Sequence, residues 1–190
     1  MEKINSQYGS AAMRRAGNRQ WVLKPQDLAV ALKLSVSGGR WLPYAALGEA
    51  MYLSRFEAHA AVQRLLAAGL VAEVDGPPKP VMQALRAFVV HGARYAYPPV
   101  RGGATVGVPT AHGAAPLKAL MAASNESIPV WPRREGVVRG QSLLPLYDRL
   151  PLAALEDAAL YELLALFDAL RAGQARERKL AAELLEERLQ

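Results

Sequence analysis

Few side chains here can do chemistry. The 190-residue chain has three histidines and no cysteine, which removes thiolate catalysis, disulfides and cysteine zinc sites together. His59, His91 and His112 have no partner histidine or carboxylate at metal-ligand spacing, and no HExxH motif occurs, so no metal and no cofactor is expected. Gly107-Val108-Pro109-Thr110-Ala111-His112-Gly113 sets an imidazole beside a hydroxyl in a glycine-rich turn. No carboxylate lies nearby in sequence to orient it. Ser142 and Asp148 complete no triad, and Gly102 to Gly107 lacks the lysine and following helix of a phosphate loop. The chain therefore reads as a non-enzyme in which His112 serves ligand or partner binding.

Polar readout of another molecule has a better candidate. In Leu53 to Val71, Ser54 and Glu57 stand at capping-box spacing, each able to satisfy a backbone N–H that the first helical turn leaves unpaired. Ala58, Ala61, Val62 and Leu65 then fall on one face, and Gly69 supplies the left-handed position that stops a helix. Arg55, His59, Gln63 and Arg64 point elsewhere. A helix with a narrow inner face and a polar outer face suits a major groove, which admits one helix. An ordinary surface helix carries the same pattern.

The flanking elements are short. Lys24-Pro25-Gln26-Asp27 opens a helix with Leu28, Ala31, Leu32, Ser35 and Val36 on one stripe, ended by Gly38-Gly39. Pro43 starts a second, with Tyr44, Leu47 and Met51 inward, and an extended Leu70 to Val74 follows the capped helix. The expectation is a trihelical core followed by a strand.

From Lys24 to Val74 the chain resembles a bacterial winged helix-turn-helix domain of MarR-like transcriptional regulators, in Gly39-Arg40-Trp41 before the second helix and in Leu65 to Val71, LLAAGLV. The resemblance implies double-stranded DNA as partner, with Ser54, Arg55, Phe56, His59, Gln63 and Arg64 at or near the groove. Arg55, His59 and Gln63 would meet base edges and Arg64 a phosphate. Ala60 stands where such regulators often carry arginine. Asp75-Gly76-Pro77-Pro78-Lys79-Pro80 leaves room only for a short returning strand or none, since proline cannot donate to a ladder. The resemblance implies Lys79 as the wing's one phosphate contact, with Arg40 in the same DNA-binding set.

The net charge of +6 is unevenly spread: +5 over residues 1–40, −2 over 41–75, +6 over 76–150 and −3 over 151–190. Residues 1–20 lack apolar periodicity and read as a mobile basic arm whose Arg14 and Arg15 could enter a minor groove. A fourth helix from about Pro80 to Ala93 completes the DNA-binding domain at 21–93, with an apolar stripe broad enough to suggest a homodimer. Residues 94–150 are rich in Pro and Gly and read as a loop-rich region. Short strands are expected at Ala104 to Val108 and Ile128 to Trp131, with a β-hairpin through Pro132 to Gly140. There Arg133, Arg134 and Arg139 offer a basic surface to an acidic partner or anionic ligand. Residues 151–190 read as two helices, Leu152 to Leu170 and Arg176 to Leu189, paired as a hairpin.

The fold class expected is thus mainly α with small β: a winged helix-turn-helix, a Pro/Gly-rich α+β region and a C-terminal helical hairpin. With no secretory signal and no long apolar run, a cytoplasmic protein without membrane contact is expected. The alternative function is an antitoxin or adaptor whose C-terminal half binds an acidic protein while the winged helix is residual.

Overall fold

The computed structural model describes residues 21–73, 76–121 and 127–190. The expected arm, with Arg14 and Arg15, lies outside them. The described chain is mainly helical with a small sheet content, and no helix in it is long and apolar enough to cross a membrane.

Three helices come first: α1 (Pro25–Val36), α2 (Tyr44–Ala50) and α3 (Arg55–Ala67). Helix α1 begins where expected because Pro25 occupies its first turn and the Asp27 carboxylate accepts from the Lys24 N–H at 2.7 Å. Leu28, Leu32, Leu47, Met51, Ala58, Ala61, Val62 and Leu65 form the shared core. Between α2 and α3 the chain turns sharply at Tyr52, which takes the left-handed φ of 54°. Gly48 permits that turn, since a Cβ there would lie 2.8 Å from the Leu53 carbonyl oxygen.

After α3 come β1 (Val71–Ala72) and β2 (Lys79–Pro80), an antiparallel ribbon of two residues a side. The prolines explain its brevity. The fourth helix runs later than expected and is not regular: α4 (Met82–Ala87) passes through a π-helical turn, Phe88–Gly92, into α5 (Ala93–Ala96).

The Pro/Gly-rich region holds a small closed barrel of β3 (Arg101–Pro109), β4 (Pro129–Pro132) and β5 (Val138–Leu143), with the short helix α6 (Leu117–Leu120) between β3 and β4. The hairpin expected through Pro132 to Gly140 does not form. Strands β4 and β5 are parallel, and each pairs antiparallel with β3. The reason is visible at Gly107, which pairs with both Pro132 and Val138. The chain loops over this residue instead of folding back on itself. A Cβ on Gly107 would lie 2.1 Å from the Trp131 carbonyl oxygen, and one on Gly140 would lie 2.0 Å from that of Ile128. Three strands close this tightly only because side chains are missing at those crossings.

The last forty residues form three helices rather than two: α7 (Leu150–Glu156), α8 (Ala158–Ala172) and α9 (Ala175–Arg188). The expected Leu152 to Leu170 helix is interrupted at Asp157, whose carboxylate caps α8 by accepting from the Leu160 N–H at 3.0 Å. Asp157 also pairs with Lys33 of α1 at 2.6 Å. Burial works against its charge, but the Lys33 hydrogen bond and charge together with the backbone hydrogen bonds of Leu160 and Ala159 outweigh it and hold its carboxyl below the usual range. Helix α8 is buried along almost its whole length from Leu163, and one continuous core joins it to the N-terminal helices and the barrel.

Candidate nucleic-acid interface

Helix α3 is built as the sequence indicates. The Ser54 N–H donates to Glu57 Oε2 at 2.8 Å, and the Glu57 N–H donates to Ser54 Oγ at 3.2 Å. Hydrogen bonding to Ser54 holds the Glu57 carboxyl below its usual range. The expected inner residues are all buried, and Gly69 stops the helix with φ 69°.

The outer face divides. Ser54, Arg55, Phe56 and His59 are exposed. The Arg55 guanidinium lies 4.7 Å from the centre of the Phe56 ring, and Phe56 is 71% exposed. His59 stands edge-on to Tyr44, ring centres 4.8 Å apart, and Tyr44 packs the same way on Trp41 at 5.3 Å. The result is an aromatic and cationic ridge drawn from the approach to α2, α2 itself and α3. Tyr44, expected to point inward, is only half-buried and contributes to this ridge. Gln63 is half-buried. Arg40 is exposed after the two left-handed glycines Gly38 and Gly39, and Lys79 is exposed on β2.

Arg64 is not part of the face. Its Nε and a terminal nitrogen each donate to the Asp27 carboxylate at 2.6 Å, and the two side chains are 11% and 0% exposed. That fork pushes the Arg64 pKa up. The expected phosphate contact is replaced by an internal tie between α3 and α1. A carboxylate 37 positions away leaves no local signal.

One flank of α3 is acidic. Glu49, Glu57, Asp148 and Glu156 line a groove that also holds Ser54, Tyr52 and Arg149. Within it the Tyr52 hydroxyl bonds the Glu156 carboxylate, which pushes its pKa up.

On the barrel, Arg133, Arg134 and Arg139 do come together, in a shallow groove with Ala104, Thr105, Val106 and Pro132. Arg133 also pairs with the exposed Glu135 at 3.2 Å. Elsewhere, the two members of the Thr110/His112 pair go separate ways. Thr110 Oγ1 donates to Asp168 of α8 at 2.7 Å, while His112 Nδ1 lies 2.9 Å from Glu177 Oε1 of α9. The carboxylate absent near His112 in sequence comes from 65 positions later.

Asp168 also accepts from Trp131 Nε1 at 2.6 Å and Arg171 Nε at 2.7 Å, and Arg171 donates on to the Leu144 carbonyl at 2.7 Å. The residues suited to oxygen chemistry are thereby committed to holding the barrel on α8. Among the described residues, no group of three or more His, Asp and Glu is placed to hold a metal. No family model, curated protein or solved structure matches the chain.

Proposed function

We propose that the protein binds double-stranded DNA sequence-specifically as a transcriptional regulator, with α1 to β2 acting as a winged helix-turn-helix and α3 entering the major groove. The observation that carries this reading is the split of α3 into a fully buried small-residue face and an uncovered face bearing Ser54, Arg55, Phe56 and His59. Arg55 and His59 supply base-edge hydrogen bonds, and Phe56 offers apolar contact to a thymine methyl. Trp41, Tyr44, Arg40 and Lys79 flank the helix. The two-residue ribbon gives fewer phosphate contacts than a long basic wing. The acidic groove at the α3 N-terminus repels phosphate, so the duplex backbone runs on the side away from Glu49 and Glu156.

Anisotropy titration tests this with the full chain, its own upstream duplex and a scrambled duplex, at low and near-physiological salt. Preference for the upstream duplex should survive salt, and Arg55→Ala with His59→Ala should abolish it, at about tenfold in affinity per lost base contact. Equal binding to both duplexes that vanishes with salt would leave only a basic surface. A second reading is favoured by the gathering of Arg133, Arg134 and Arg139 in one groove: an adaptor or antitoxin whose barrel grips an acidic protein. In that case the α3 double variant keeps its function while Arg134→Gln with Arg139→Gln loses it.

A further inference from the structure

Buried polar groups in folded proteins have partners, and each exception asks for a cause. Here the buried carboxylates of Asp27 and Asp168 each accept several hydrogen bonds. His112 is different. Its side chain is 10% exposed, and although Nδ1 lies 2.9 Å from Glu177 Oε1, neither ring nitrogen has a hydrogen bond. The contact has the distance of an ion pair without the alignment of a hydrogen bond.

His112 lines a cavity of about 310 Å³ where the barrel meets the corner between α8 and α9. That volume equals about ten waters at their liquid share, the lower end of the range for small-ligand sites. Arg101 of β3, Gln141 of β5 and Gln174 at the corner share the lining. The Arg101 guanidinium donates to the Ala172 carbonyl, which uses one of its five N–H groups. The other charged group in the wall, Glu177, has Oε2 accepting from the Gln174 N–H at 3.1 Å and Oε1 beside His112. Glu177 is thus engaged with the helix start and the imidazole. The cationic and ring donors left for an occupant come from Arg101 and His112, with the Ser127 hydroxyl also in the wall.

We propose that this cavity is a binding site for a small anion, a carboxylate or phosphate group held by the Arg101 guanidinium and the His112 imidazole. Glu177, 2.9 Å from Nδ1, is a neighbour of the ring and not a ligand of the anion. A planar guanidinium fork matches either oxyanion, and a small turn of the imidazole brings a ring nitrogen to the anion. The site is independent of α3 and of the groove at Arg133, Arg134 and Arg139, so it stands whether or not the protein binds DNA.

The test is titration of the full chain with inorganic phosphate, with glycerol phosphate and with malonate, each against chloride at matched ionic strength. Thermal shift and the imidazole ¹⁵N resonances are followed together. Saturable stabilisation by at least one oxyanion, accompanied by a shift of the His112 resonances, is expected. Arg101→Gln and His112→Gln should each weaken it at least tenfold, and Arg134→Gln with Arg139→Gln should leave it unchanged. Phosphate against malonate identifies the group preferred, and glycerol phosphate tells a free ion from an ester. Absence of saturable binding by all three overturns the proposal. So does binding that survives Arg101→Gln, a change at an exposed side chain, or that disappears with the Arg134/Arg139 pair.

Discussion

The N-terminal helices and the barrel each rest on a buried aspartate, and the two are used differently. Asp27 faces one arginine, Arg64, across two helices that local sequence already specifies. Asp168 takes hydrogen bonds from Thr110 after β3, Trp131 on β4 and Arg171 on its own helix. The first ties two helices together and caps the start of one of them. The second joins the end of β3 and β4, already paired with each other, to α8. Buried charge is stabilising only when every partner is satisfied, so the number of partners left behind should decide what each aspartate is worth.

Removing Asp168 sharpens this contrast most. Asp168→Ala strands three donors in the interior and should cost about 5 kcal/mol, the upper end for breaking a buried pair. Asp27→Ala strands the Arg64 guanidinium, which is 11% exposed and can turn to water, and the Lys24 N–H at the open start of α1; about 3 kcal/mol is expected. Urea denaturation of both variants checks the order, and equal losses would break the comparison. Ser54→Ala, which removes only the α3 cap, should cost about 1 kcal/mol, with far less change in the urea midpoint than either.

A graded perturbation reaches both regions through tyrosine. Burial pushes Tyr97, whose hydroxyl has no partner, and Tyr161, which donates to the Pro109 carbonyl, each up to about 12. Burial also raises Tyr147, which donates to the Met51 carbonyl. The folded chain holds these protons after the unfolded chain has released them. Their stabilisation is therefore complete below pH 10 and is lost as pH rises towards 12. Tyrosinate absorbance should show fewer than the seven tyrosines of the chain titrating near pH 10 while it remains folded.

The same contrast explains what could be read in advance. Pro25, the Ser54/Glu57 box and Gly69 act within a turn of their own position, so the helices and the inner face of α3 were legible. Arg64 reads as a surface residue from local sequence because its partner sits in another helix. In residues 94–150 the glycines look like loop punctuation, whereas Gly107 and Gly140 are points where strands cross too closely for a Cβ. No local periodicity encodes such a crossing. Asp168 and Arg171, three apart in the apolar stretch from Leu163 to Leu170 and its end, are the available sign of a buried ion pair. Their remaining partners, like Glu177 for His112, are set by the chain path.

The turn that leads into α3 is held from outside as well as from within. Tyr147 reaches the Met51 carbonyl at 2.7 Å, Tyr52 is tied to Glu156, and Lys33 of the neighbouring α1 is tied to Asp157. Each bond joins the N-terminal helices to the segment from Tyr147 to the start of α8. In mechanical terms the approach to α3 is fastened to a frame instead of being hung on a hinge. A displacement of α7 or the start of α8 would thus pull first on the turn from Met51 to Tyr52, which leads into the exposed ridge of Arg55, Phe56 and His59.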